Sequence, residues 1–170
     1  MRKRDGRAVQ ASAGVLDSQT VKTSSSGEIR GYDGGGKKIN RRKCHILVDT
    51  LALLIAVVVH AADVQDRDGG LLIFERIKDV LSQLKLIWAD GGYRGEFIEK
   101  VKRKFRRTIE IVKRNDDVKG FKVLPKRWIV ERTFGWLCHY RRHSRDYEGL
   151  PENSEAMVYI SMIQVMLRRI

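Results

Sequence analysis

Leu86-Ile87-Trp88-Ala89-Asp90-Gly91-Gly92 is the stretch on which the architecture turns. Four apolar residues cut short by an acid and two glycines read as a buried strand whose carboxyl end opens into a loop. Before it, Ile73, Ile77, Leu81 and Leu84 recur at near-helical spacing behind Asp66 or Asp68, either of which can cap a helix. Earlier still, residues 43–49 and 51–60 are rich in Ile and Val, and a tight connection near Asp49-Thr50 makes them a hairpin. Strand, helix, strand in this order predicts a crossover that lays 86–89 parallel to its predecessor.

Working outward, residues 13–21 read as a further strand. Phe97, Ile98, Val101 and Phe105 mark a second helix, and residues 108–112 another strand. From Pro125 the chain is helical. Ile129, Thr133, Trp136 and Tyr140 form one stripe, with Val130, Phe134 and Leu137 beside it, and Pro151 opens a last helix. The order βββαβαβαα predicts an α/β layered fold, a mixed five-stranded sheet flanked by helices. Residues 1–10 read as a basic flexible arm ahead of one domain, 11–170. Residues 22–38, with Ser24-Ser25-Ser26-Gly27 and Gly34-Gly35-Gly36, read as a loop.

The composition narrows the function. Lys and Arg number 34 against 21 Asp and Glu, a formal charge of +13, which favours a polyanionic partner, in a cell usually nucleic acid. The longest apolar run, 51–59, is far short of the ~20 residues a membrane helix needs. Two cysteines, Cys44 and Cys138, make no disulfide framework, and no apolar segment follows the basic start, so a cytoplasmic location is expected.

Three acids stand out by position. Asp17 lies inside an apolar strand, where Asp is disfavoured. Asp90 sits at the carboxyl end of a parallel strand, where open α/β sheets place ligands. Glu131 lies on an aromatic, apolar helix near Arg127 and Arg132. Brought together, three carboxylates need a cation among them, and hard oxygen ligands suit Mg²⁺ or Mn²⁺. By spacing alone the plainer roles are the better fit: Asp17 starting a turn, Asp90 capping a helix, Glu131 pairing with Arg127. Asp49, Asp63, Asp66 and Asp68 compete for the site.

Longer motifs carry more. Asp17-Ser18-Gln19-Thr20-Val21-Lys22, Gly31-Tyr32-Asp33, Lys37-Lys38-Ile39-Asn40 and His45-Ile46-Leu47-Val48-Asp49-Thr50 come first. Gln65-Asp66-Arg67-Asp68-Gly69, Ala89-Asp90-Gly91-Gly92-Tyr93-Arg94-Gly95 and the run from Arg127 to Leu137 follow in order, then Arg141-Arg142 and Asp146-Tyr147-Glu148. Together they resemble the DDE transposases of the insertion-sequence-five family over nearly the whole chain. The resemblance implies an RNase H-like fold and a catalytic triad of Asp17, Asp90 and Glu131. These would hold two Mg²⁺ or Mn²⁺ ions, Asp17 bridging both. The implied activity is DNA strand cleavage at the ends of a bacterial insertion sequence and transfer of the freed 3′-OH to target DNA, by a homo-oligomer on nucleoid DNA. Lys37, Lys38, Arg41, Arg42, Lys43, Tyr93, Arg94, Arg127, Arg132, Arg141 and Arg142 are the expected DNA contacts. Such contacts position the duplex without reading its sequence.

The departures set an alternative. The family's N-terminal helical DNA-binding region is not represented, so the chain reads as the catalytic portion, with that part encoded separately, or as a truncated DNA-binding remnant that inhibits the intact enzyme. Leu124 and Cys138 stand at the offsets of a Tyr and a Lys in the wider superfamily. Arg41, Cys44 and Ala52 stand where Gly, Arg and Gly are expected, so Ala52 would strain its turn. Gly135, one turn after Glu131, leaves either room for ions and phosphate or a close packing contact. Trp128, Trp136 and Tyr140 read as core aromatics rather than base-stacking platforms.

Overall fold

A computed structural model of the chain describes residues 1–24, 29–32, 40–112 and 126–169. Strands β1 (Ala13–Lys22), β2 (Gly31–Tyr32), β3 (Asn40–Asp49) and β4 (Leu54–Ala61) come first. Helix α1 (Asp66–Ile77), strand β5 (Leu86–Ala89), helix α2 (Glu96–Phe105) and strand β6 (Thr108–Ile111) follow, then α3 (Trp128–Cys138) and α4 (Pro151–Leu167). The principal strands lie in the order β4-β3-β1-β5-β6, and the two-residue β2 extends β3 beyond β4. That sixth strand lies in the stretch read as loop, where glycine and serine leave no period to read.

β1 and β4 are antiparallel to β3, while β5 is parallel to β1 and β6 parallel to β5. The crossover through α1 therefore lands beside β1, in the middle of the sheet, and this places the end of β5 next to Asp17.

Both faces of the sheet are covered, so the inner strands are apolar at even and odd positions alike. Leu16, Leu47, Ala56 and Val58 pack against Ile73, Phe74 and Phe97 of α1 and α2. Val15, Ile46, Val48, Val57 and Val59 pack against Ile129, Val130, Leu137, Val158 and Met162 of α3 and α4. The two-residue alternation decides which layer each side chain enters.

α1 ends at Ile77, earlier than its spacing suggested: Leu81 and Leu84 lie beyond it, and Leu84 is buried in the connection. Gln65 is its N-cap, with no side-chain cap bond, and Asp66 and Asp68 occupy the first turn, where their charge suits the helix dipole. A Cβ on Gly69 would come within 2.3 Å of Nε2 of both His45 and His60, so only glycine lets α1 lie this close to the sheet.

Ala52 does adopt the left-handed conformation (φ 63°) in the β3–β4 turn. Asp49 closes that turn by accepting from the amides of Leu51 and Leu53, at 2.8 Å each, and pairs with Arg2 from the N-terminal segment. Its role is structural. The outer edge of β4 is closed by side chains: Glu155 accepts from the Val59 amide at 2.9 Å, Arg76 donates to the Val57 carbonyl at 2.7 Å, and the two pair with each other. This clamp blocks strand pairing from solvent. Among the described residues, no helix is long and apolar enough to cross a membrane.

Candidate active site

Asp17 sits in the middle of β1 on the face turned to α3. The adjacent Ser18 amide donates to its Oδ1 at 2.8 Å, and Arg127, just before α3, donates to its Oδ2 at 3.0 Å. The same Arg127 nitrogen lies 3.7 Å from Oε1 of Glu131, one turn further along. Asp90 follows β5, caps the short 3₁₀ turn Gly91–Tyr93 and accepts from the Gly92 amide at 2.8 Å. Two of the plainer readings hold as well: Asp90 is a cap, and Glu131 faces Arg127.

Electrostatics ties the three acids into one site. Burial pushes the Asp17 carboxyl above the usual range, Arg127 pulls it back, and the charge of Asp90 raises it further. Burial opposes the Arg127 charge, but Asp17, Asp90 and Glu131 together outweigh it and hold its pKa above the ordinary value. One guanidinium thus pairs with Asp17 and Glu131, and the charge of Asp90 acts on it from farther off. A Cβ on Gly135 would meet nothing within 4 Å, so this glycine is not a packing contact and leaves open space one turn from Glu131.

Arg127 is a stand-in cation, and it tests whether a metal suits the site. Among the described residues, no three His, Cys, Asp or Glu side chains stand close enough to hold a metal ion. The donors nevertheless fit in kind: hard carboxylate oxygens, one of them desolvated, arranged around a positive charge.

A second acid network lies on the opposite face of β1. Ser18 Oγ donates to Asp66 Oδ1 at 2.9 Å, and Lys43 pairs with the same oxygen at 3.1 Å. Lys43 and Ser18 outweigh burial and hold the Asp66 carboxyl below its ordinary value. A Cβ on Gly92 would lie 3.1 Å from Asp90 Oδ1 and 3.4 Å from Asp66 Oδ2, so Asp66 borders the site. In the sequence it is one of several competing acids, marked only as a possible start of α1 and by the motif 65–69.

Tyr93 corrects an expectation. It is 1% exposed, and its hydroxyl meets His45 Nδ1 at 2.9 Å, so it supports the site from beneath and does not face DNA. His45 stacks on His60 with ring centroids 4.8 Å apart. Burial pushes His45 from 6.5 down to about 3, and burial also lowers His60. Between pH 6.5 and about 3 the unfolded chain takes up a proton that folded His45 refuses, so stability falls as pH falls across that window. The slope is ~1.4 kcal/mol per pH unit for each such proton. Thermal melts from neutral pH downward are expected to show a fall beginning near 6.5 that is shallower in His45→Asn. Equal slopes in the two proteins would contradict this.

Arg42 is the larger correction. Lying on the α3/α4 face of β3, it is 1% exposed and bonds inward to Asp146 (3.2 Å), Ser154 (3.2 Å) and the carbonyls of Ile29 (2.7 Å), Glu148 (2.9 Å) and Gly149 (2.6 Å). It is an internal anchor. Lys43 is likewise engaged, with Asp66 and the Val64 carbonyl at 3.1 Å each, and Arg41 is half-buried. Cys44 packs into the interior, where burial pushes its thiol up to about 12, so a cation there would not have faced DNA.

Of the other expected DNA contacts, Arg94 and Arg141 are exposed, and Arg142 pairs with Glu148. Lys37 and Lys38 lie outside the described residues. Trp128 is 40% exposed, not core, and with Trp136 it sandwiches Arg132, whose guanidinium lies 4.6 Å and 4.7 Å from the two ring centroids.

Comparison with known proteins bears on this geometry. A family model described as "Transposase DDE domain" matches residues 9–166. A putative transposase for insertion sequence element IS402 from Burkholderia cepacia is 32% identical over 109 residues, which cover 59% of this chain and 50% of the relative. The chain thus spans about half the length of that curated relative. Among solved structures, the HTLV-2 integrase catalytic core domain in complex with magnesium (dimeric form) superposes with a TM-score of 0.54 at 14% identity, covering 92% of this chain and 87% of that one. A chain of the simian T-cell lymphotropic virus intasome gives 0.57 at 14% identity, covering 92% of this chain and 49% of that one. At such identity the likeness establishes the fold, that of the RNase H-like integrase cores.

Proposed function

The chain belongs to the transposase DDE-domain family, and on that premise we propose that it is the catalytic domain of a bacterial insertion-sequence transposase, of the insertion-sequence-five type that its motifs resemble. One observation carries the reading: β5 ends beside Asp17 of β1, so Asp90 follows next to it, and Arg127 pairs Asp17 with Glu131 of α3. These three would hold Mg²⁺ or Mn²⁺, two ions by the resemblance, which activate a water and stabilise the leaving oxygen of a phosphodiester when bound. The bond broken is that between phosphorus and the 3′ oxygen at the element end. The freed 3′-OH then attacks a target phosphate and displaces the target's own 3′ oxygen.

The chain's own residues orient this chemistry. β1 and the Ser18 amide fix Asp17, the Gly92 amide fixes Asp90, and α3 carries Glu131 with open space beside Gly135. Arg127, Arg94, Arg132 and Arg141 would meet backbone phosphates, a contribution that weakens steeply with salt.

The alternative, a DNA-binding remnant that inhibits the intact enzyme, is favoured by the spacing of the acids, since among the described residues no three His, Cys, Asp or Glu side chains stand close enough to hold a metal ion. The deciding experiment incubates the chain with DNA carrying the element's ends, in Mg²⁺, Mn²⁺ or EDTA, with and without a separately supplied N-terminal part. Metal-dependent cutting at the ends is expected, lost in Asp90→Ala while DNA retention stays near wild type. Equal cutting by Asp90→Ala overturns the assignment. DNA retention with no cutting under any condition selects the remnant.

A further inference from the structure

Arg127 stands between two of the acids that would share an ion. It is the residue just before α3, and its Nη2 lies 3.0 Å from Asp17 Oδ2 and 3.7 Å from Glu131 Oε1. A divalent ion held by the same two carboxylates competes for that place, because it repels the guanidinium twice as strongly as a single charge would at the same distance. Among the described residues no three His, Cys, Asp or Glu side chains are close enough to hold a metal ion. With Arg127 seated, the acids are spaced for a guanidinium and not for a metal.

Two features say what removes it. The acids hold the Arg127 pKa above its ordinary value, so it does not leave by losing its proton, and a competing anion has to draw it away. Its hold is also incomplete. Both acids are met by one nitrogen, Nη2, while Nε is buried without a partner, and the Glu131 side chain is 47% exposed. A DNA phosphate offers what this arrangement does not, oxygens that accept from two donors of the fork at once. The net charge of +13 draws such phosphates to the chain.

We propose that Arg127 is a displaceable plug that couples DNA to metal: in the DNA-free chain it holds Asp17 and Glu131 against a divalent ion, and a backbone phosphate draws it off, so that the ion enters beside bound DNA. The inference rests on the metal-holding role given above to Asp17, Asp90 and Glu131. Because linkage is reciprocal, DNA and the ion then tighten each other by the same factor. Cutting is thereby tied to a seated duplex.

The test measures Mn²⁺ binding to the full, DNA-free chain by electron paramagnetic resonance. Arg127→Gln is expected to bind Mn²⁺ about tenfold more tightly than wild type, or more, a typical size for coupling between sites. An Arg127 that instead organises the acids for the metal gives the opposite sign. Weaker or unchanged Mn²⁺ binding in Arg127→Gln overturns the proposal and leaves the proposed function standing. A second measurement needs no change at Arg127: retention of a duplex without element ends, which is not a substrate for cutting, with and without Mn²⁺ at fixed ionic strength. Mn²⁺ is expected to tighten retention by wild type and not by Asp17→Asn, whereas a cation that only competes for phosphates loosens both. Wild-type retention that Mn²⁺ leaves unchanged or loosens also overturns the proposal. If neither wild type nor Arg127→Gln binds Mn²⁺, with or without DNA, the metal assignment itself fails and takes this inference with it.

Discussion

Asp17→Asn is expected to reduce metal-dependent strand cleavage by about a thousandfold or more, equivalent to ~4 kcal/mol of transition-state stabilisation, while leaving the thermal melt unchanged or slightly raised. The two effects separate because of where Asp17 sits. Its carboxylate is desolvated in the middle of β1 and repelled by Asp90, so its charge opposes folding. Arg127 offsets only part of that. Asn preserves the shape and the bond from the Ser18 amide while removing the charge that a divalent cation requires. A residue that costs stability in the resting fold and is indispensable to the reaction is a mark of an active site. Cleavage within tenfold of wild type would remove Asp17 from the site. A sharp fall in the melt would instead make the Arg127–Asp17 pair a structural clip for α3.

Arg42→Met is expected to act in the opposite way: on folding first and on DNA hardly at all. Removing the guanidinium leaves the Asp146 carboxylate, itself 8% exposed, without its cation. Breaking a buried ion pair from one side costs about 3–5 kcal/mol. For a chain of this size that is a fall in melting temperature of about 10 °C. Asp146 also accepts from Ser154 and the Glu148 amide, and its backbone pairs with Lys22 and Ser24 at the end of β1, so the loosening would spread to the segment joining α3 to α4. Arg42→Lys restores charge but not the planar fork that reaches Ile29 and Gly149 at once, and is expected to recover only part of the loss. An unchanged melt with weakened DNA retention would reinstate Arg42 as a DNA contact.

Arg41, Arg42 and Lys43 show how far the sequence could be read. Three cations in succession on a strand must alternate between its faces. Because helices cover both sides of the sheet, at least one of the three had to enter the interior. Which one depends on Asp146, more than a hundred positions away, and no local pattern announces that partner. Tyr93 is the same case: next to Asp90 in the chain, it is turned under the sheet by His45. Asp66 lay hidden among four competing acids until α1 set it beside Gly92.

The identity of the five principal strands and four helices, the parallel placement of 86–89 and the expectation of a polyanionic partner could all be read from the residues themselves, because periodicity and charge are local or additive quantities. The order of the three acids was legible through the family motifs. What only the tertiary structure decided is which charges are neighbours. The crossover through α1 lands β5 beside β1, and that single topological choice brings Asp17, Asp90 and the start of α3 around one guanidinium. Interaction between charges depends on distance through space and on exclusion from water, and neither is a function of position along a chain.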